Sequence, residues 1–319
     1  MKMIVMPSRT RLLAATAVLA VVTLAGCGNS DGTGSSDGDK LDVVTSFYPL
    51  EFIAMKVGGD RVNVTTLTAP GVEPHDLELT PKQVGSLTEA ALVVYEKGLQ
   101  PAVDEAVEQN ATEAGFDVSA AAKLIATGAE HEHAGEETPG EHEGESELDP
   151  HFWLDPTRLA DVADAVAAEL GKRDADGAQG YRDRAAALRK ELTTLDSEFT
   201  TGLSTCRLKS FVTTHEAFGY LAKRYGLEMV GIAGLSPDAE PSPARIKEVQ
   251  DVVRREKVTT IFYEELVSPK VAESIAHDLK VKTAVLSPVE GLTDSNATDD
   301  YLSLMRTNLN ELKKANSCT

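Results

Sequence analysis

The chain is poor in cysteine, holds one tryptophan and has far fewer positive than negative side chains. Its 319 residues include three Cys, and no CxxC pair occurs, which argues against a thiolate metal centre. Lys and Arg number 31 against 51 Asp and Glu, a formal net charge of −20. Such a surface repels nucleic acid, and no basic patch with interleaved aromatics offsets it. It attracts cations instead. There is no P-loop, no HExxH helix, no GxSxG elbow and no CxxCH haem motif. One apolar run stands at the start, and no second run of spanning length follows it.

That first run reads as part of an address. Lys2, Arg9 and Arg11 precede LLAATAVLAVVTLAG (12–26), an apolar stretch of signal-peptide length. It leads into LAGC (24–27), which resembles the lipobox of bacterial lipoproteins; the resemblance implies that Cys27 becomes the acylated N-terminus. GNSDGTGSSDGDK (28–40) cannot bury a core and reads, with Cys27, as a flexible tether over 27–40. Loss of the three early basic residues takes the formal net charge from −20 to −23. Roughly 280 residues remain, comfortable for two domains. Cys206 and Cys318 are then an even pair in an oxidising compartment. A disulfide is the expected state and two free thiols the alternative.

Beyond residue 40, strand and helix patterns alternate. LDVVTSFYP (41–49), RVNVTTLT (61–68) and ALVVYE (91–96) read as strands, with helical spacing in LEFIAMKVGGD (50–60), TPKQVGSLTEA (80–90) and LQPAVDEAVEQN (99–110) between and after them. DPTRLADVADAVAAELGKR (155–173) is an amphipathic helix with Asp155 as N-cap and Pro156 at its first position. In 178–203 Tyr181, Ala185, Leu188, Leu192, Leu195, Phe199 and Leu203 recur at spacings of four and three, so one long helix with a single apolar stripe is predicted. The second half repeats the first half's logic, with strands in 210–215, 227–235, 259–265 and 282–294 and helices between them. The pattern is that of an α/β protein with largely parallel sheet. EHEHAGEETPGEHEGESE (130–147) interrupts it with eight Glu, three His and no positive residue, and is expected to be a solvated loop.

Polar residues recur where predicted strands end, the edge at which open α/β sheets bind ligands. His75 follows the strand at 61–68 through a turn, His215 ends the strand at 210–215, and Asp294 follows the last strand through a loop. His151 lies in ELDPHFWLDP (147–156), between two Asp-Pro pairs. Three imidazoles and a carboxylate can surround Zn²⁺ in a tetrahedron. Each alone has a plainer reading: a histidine in a turn or at a strand end is commonly a hydrogen-bonded surface residue, and Asp294 reads as a helix cap. His277 lies mid-helix in ESIAHDLK and reads as a solvated or packed helix residue.

Three segments carry a further resemblance: GVEPHDLELTP (71–81), DPHFWLDP (149–156) and TTHEAFGYLAKRYGL (213–227). With VEGLTDS (289–295) and the closing helix, they resemble the zinc-binding lipoproteins of ABC importers, the ZnuA and AdcA type of cluster A-I (cluster 9) solute-binding protein, over nearly all of 41–319. The resemblance implies two α/β lobes, each a mostly parallel sheet with flanking helices, at 41–173 and 206–319, joined by a rigid linking helix within 174–205. It implies Zn²⁺ held in the cleft by His75, His151, His215 and Asp294, with Glu73, Glu264, Glu265 and Glu290 as nearby substitutes for the last. Phe152 and Trp153 are expected to wall the site, and Asp149 and Pro150 to fix the chain entering it. The family also carries a charged, His-rich loop before its second ligand histidine; residues 129–147 hold that place here, with His131, His133 and His142 as a weak second metal site or the whole loop as a spacer.

The function so implied is an extracytoplasmic carrier, not an enzyme, that captures Zn²⁺ and delivers it to an ABC-type permease. It is expected to be a monomer held on the outer face of the cell membrane by an acyl anchor in the lipid bilayer, with no nucleic-acid partner. Manganese or iron carriers of the same family are the near alternative, though imidazole donors favour Zn²⁺ over the harder Mn²⁺. A zinc-dependent hydrolase is the alternative of another class, with Glu264 or Glu265 as base if Asp294 leaves a coordination position open to water. A surface adhesin is a third reading, which no residue here argues for independently.

Overall fold

The computed structural model describes residues 40–126, 148–293 and 299–319. The signal and anchor residues 1–26 and Cys27, the tether apart from Lys40, the acidic loop with its three histidines, and Asp294 lie outside them. The described residues belong to one compact unit.

The first half runs β1 (Leu41–Thr45), α1 (Tyr48–Gly58), β2 (Val62–Thr66), α2 (Pro81–Glu89), β3 (Leu92–Tyr95), α3 (Pro101–Asn110) and β4 (Gly115–Asp117). A single turn, α4 (Ser119–Ala122), leads to β5 (Ile125–Ala126), which pairs antiparallel with β6 (Leu148–Asp149). Helices α5 (Pro156–Arg173) and α6 (Ala178–Leu203) follow. The second half is β7 (Ser210–Thr213), α7 (Gly219–Tyr225), β8 (Glu228–Gly231), α8 (Pro243–Glu256), β9 (Thr260–Tyr263), α9 (Lys270–Leu279), β10 (Lys282–Val285) and α10 (Tyr301–Ala315).

Two four-stranded parallel sheets result, ordered β2-β1-β3-β4 and β10-β9-β7-β8. The second order, read from its other edge, is the first repeated: second strand, first, third, fourth. In each sheet the chain steps one way from its first strand and then crosses to the other side. Loops after the first and third strands therefore diverge and leave a crevice at the carboxyl edge.

Local chemistry places the helix starts. Thr80 caps α2 in a capping box with Gln83, Asp155 accepts from Thr157 N–H at the start of α5, and Ser242 accepts from Arg245 N–H at the start of α8. The Ser-Pro at 268–269 differs: Pro269 sits at the N-cap of α9 and no side chain caps it. Helix α7 starts at Gly219, after a bend and turn over 214–218 in which His215 is fully buried.

Helix α6 spans 26 residues, roughly 39 Å at 1.5 Å per residue. Its buried residues are the seven of the predicted stripe. It packs on α1 and α5 of the first half and on α7 and α10 of the second. One continuous core runs along it, from Phe47 and Trp153 to Phe218, Phe262 and Tyr301. Smaller clusters cover the far faces of the two sheets.

Cys206, just past α6, is bonded to Cys318, just past α10, across 112 residues of sequence. On the chain-entropy view a loop of that length restricts the unfolded chain by up to about 4–5 kcal/mol. Replacing both Cys by Ser should lower stability by about 2–4 kcal/mol. Denaturant unfolding measures the loss; an unchanged midpoint and slope would contradict a native cross-link.

Candidate metal centre

Each of three histidines is brought inward by a different loop. After β2 the ladder extends through Leu67 and Thr68, whose N–H groups donate to Thr45 and Ser46 carbonyls. The chain then turns through Pro74, whose carbonyl accepts from buried Gln100 Nε2 at 3.0 Å. His75 N–H donates to Glu73 Oε1 at 3.2 Å. His75 also lines an open groove with Leu99, Pro101, Leu124, Pro150 and Leu235.

His151 is held more tightly. Asp149 Oδ1 accepts from both His151 N–H (2.9 Å) and ring Nδ1 (2.8 Å). Asp149 is itself anchored, since its carbonyl accepts from Tyr220 O–H at 2.7 Å. Gly219 makes room for it: a Cβ there would stand 2.7 Å from Asp149 Oδ2. His215 follows β7, and its Nδ1 lies 2.8 Å from Glu264 Oε1. Glu264 comes directly after β9, the strand beside β7, and also accepts from Thr214 O–H. A carboxylate on Nδ1 keeps a proton there and turns Nε2 toward the centre.

The fourth group is Glu290. It stands in the segment between β10 and α10, with no exposed side-chain surface. His151 Nε2 lies 3.3 Å from Glu290 Oε1, His215 Nε2 3.5 Å and His75 Nε2 3.8 Å. His151 Nε2 and His215 Nε2 are 3.3 Å apart. One ligand atom from each of the four residues lies within 4.8 Å of all the others. Donors about 2.0–2.1 Å from a tetrahedral ion stand about 3.3–3.4 Å from one another. The two separations of 3.3 Å match that spacing, the 3.5 Å one is close to it, and His75, 3.8 Å from Glu290, stands outside it.

The preceding residue, Val289, adopts φ +57°. A β-branched residue in the left-handed region costs about 1–3 kcal/mol, so the surroundings must impose it. Trp153 Nε1–H donates to Pro288 O at 2.7 Å, and Asn308 of α10 bonds both backbone groups of Ser287. On the other flank Gly71 N–H donates to Leu292 O at 2.6 Å. Trp153 is fully buried against Phe47, with its ring centre 5.3 Å from that of His151.

Electrostatics bind the quartet together. Burial alone would raise the Glu290 pKa, but the three imidazoles take it well below the usual carboxylate range. Burial alone would lower His215; its bonds to Glu264 and Glu290 override that and push it up to about 10. His151 moves up likewise, burial opposing and Asp149 and Glu290 prevailing. Glu73 is pushed up to about 8 by burial and by the Glu290 charge. The centre therefore demands positive charge, supplied by protons or by a metal ion that displaces them.

The matching family model, ZnuA, is described as "Zinc-uptake complex component A periplasmic" and covers residues 43–315. The chain belongs to the ZnuA family. It is 37% identical over 298 residues to the "High-affinity zinc uptake system protein ZnuA" of Bacillus subtilis, covering 91% of this chain and 92% of that one. It is 36% identical over 301 residues to the "Zinc-binding lipoprotein AdcA" of Streptococcus pneumoniae; there it spans 93% of its own length but 59% of the relative's. The Zn(II)-bound ZnuA-like domain of S. pneumoniae AdcA superposes with a TM-score of 0.71 at 35% identity, over 87% of this chain and 99% of that domain.

Of the residues singled out in the sequence, His75, His151 and His215 come together with Glu290, one of the named substitutes for Asp294. Glu264 supports His215 instead, and Glu265 faces a separate cavity with Ser287 and Asn308. His277 is exposed on α9. The roles of Asp149 and Glu264 at Nδ1 are new relative to the sequence reading. For Asp149 the signal was there, since an Asp two residues before a His readily folds back on its N–H.

The raised His215 pKa has a testable sign. A group titrating higher in the folded state than its usual 6.5 contributes stability that is full below that pH and is lost as pH climbs through about 10. Thermal unfolding of chelator-treated protein should show Tm falling over this window, and His215→Gln should flatten the fall. Equal slopes for parent and variant would contradict the charged pair.

Proposed function

We propose that the chain is a zinc carrier: it binds one Zn²⁺ through Nε2 of His75, His151 and His215 and the carboxylate of Glu290, and hands the ion to a membrane permease. The observation that carries this reading is the convergence of four donors within 4.8 Å of one another, three of them imidazole nitrogens and all but half-buried His75 fully enclosed. The relatives' names support zinc as the cargo and an uptake complex as the destination. The chain's halves, 41–173 and 206–319, act as two lobes on the linking segment 174–205. Both contribute donors, so the ion ties them together.

Four protein donors leave no coordination position for a nucleophilic water, which suits cargo rather than catalysis. Nitrogen donors favour Zn²⁺ over Mn²⁺, for which oxygen donors are the better match. Zn²⁺ must displace the protons that Glu290 draws onto His151 and His215, so binding releases protons and weakens as pH falls. His75 has no carboxylate on Nδ1 among the described residues and borders the groove, so the ion enters and leaves past it. Asp149 and Glu264 orient the other two rings. Anchoring outside the cytoplasm through an acylated Cys27 completes the reading.

Because Trp153 is the single tryptophan and lies against His151, its fluorescence should report binding directly. Titration should saturate at one equivalent. His151→Ala or His215→Ala should weaken zinc binding at least about a hundredfold, and Asp149→Asn by about 10- to 100-fold through loss of ring orientation. Parental affinity in His151→Ala, measured by competition with a chromogenic chelator, would overturn the assignment.

A further inference from the structure

We infer that Trp153 is a positioning residue for the Glu290 carboxylate, acting across the cleft through its indole N–H. The inference rests on the zinc-carrier reading and deepens it.

Among the described residues, nothing but the ligand imidazoles themselves holds the Glu290 carboxylate. Both its oxygens are buried, and among the described residues the groups that face it are the three imidazoles. Its position must therefore come from its backbone. That backbone is strained at Val289, φ +57°, immediately before it. A strained turn relaxes unless neighbours over-determine it. Here Ser287 is held from its own half, by both groups of the Asn308 amide, and its Oγ accepts from Val289 N–H at 3.3 Å. Pro288, between them, is held from the other half, by Trp153 Nε1–H at 2.7 Å.

The indole is a suitable strut. It is fully buried, packed edge-on against Phe47 at 4.8 Å between centroids, and its own carbonyl accepts from Tyr301 O–H at 2.5 Å. It sits two residues from His151. One segment thus sets a ligand from the first half directly and one of the second half's two ligands, Glu290, through a single hydrogen bond. An aromatic wall needs only the ring; the strut needs the N–H. The two roles are separable by Trp153→Phe, which keeps a ring and removes the donor.

The experiment is a double-mutant cycle on zinc release, read as the rate of transfer to excess chromogenic chelator, in the full chain. Parent, Trp153→Phe, Glu290→Gln and the double variant are compared. Trp153→Phe should release zinc roughly three- to tenfold faster, the range expected for one buried hydrogen bond. Glu290→Gln should release it faster still, and adding Trp153→Phe to it should change nothing more. Ser287→Ala, which loosens the same turn without touching the core tryptophan, should follow the same rule if Trp153→Phe folds poorly. In the Co²⁺ forms, Trp153→Phe should shift the visible d–d bands in the direction that Glu290→Gln does. Equal effects of Trp153→Phe in both backgrounds, or none in either, with Glu290→Gln still impaired, would overturn the positioning role and leave the zinc site standing. Parental release by Glu290→Gln would remove the ligand itself, and the inference with it.

Discussion

A carboxylate without water must have a positive neighbour, and Glu290 has three imidazoles for that purpose. The centre is built around this requirement. The Nε2 atoms of His151 and His215 stand 3.3 Å apart, so both cannot present lone pairs to each other, and the carboxylates around the two rings hold their pKa values up against burial. Asp149 and Glu264 behind two of the rings add negative charge at Nδ1 and strengthen the demand. The arrangement favours positive charge inside it, which suits these four residues to hold a metal ion.

The fold supplies the geometry by using one plan twice. Both sheets have the same strand order, and both open a crevice at the carboxyl edge between first and third strands. In the second sheet that crevice holds His215, two residues past β7, and Glu264, one past β9. Continuing the register of the first sheet sets Phe47 and Glu96 in the matching places. Phe47 packs on Trp153 there, and buried Glu96 is raised well above the usual carboxylate range by burial and by Asp149. The first half thus devotes its crevice to the apolar support of the His151 segment, and sends ligands from the loops beyond. Helix α6, packed against helices of both halves, spans the two.

Much of this was legible in the sequence because it obeys local rules. The stripe of α6 has helical period, the caps of α2, α5 and α8 are Thr, Asp and Ser before Pro, and alternating strands and helices mean parallel sheet. Histidines at strand ends declared themselves for the same reason. The corner occupied by Glu290 was not decidable, because 289–295 offers two carboxylates and no periodicity chooses between Glu290 and Asp294. The braces were equally silent. Glu264 reaches His215 only because β9 lies beside β7, and Trp153 reaches Pro288 across 135 residues; both are facts of topology, which no local pattern records.

The central claim, that these four residues together hold one zinc ion, is most directly tested by anomalous diffraction at the zinc edge from crystals of the zinc-loaded chain. A single strong peak is expected about 2.0–2.2 Å from Nε2 of His75, His151 and His215 and from a Glu290 oxygen. A peak coordinated by Asp294 in place of Glu290, or one lying away from the three histidines, would contradict it.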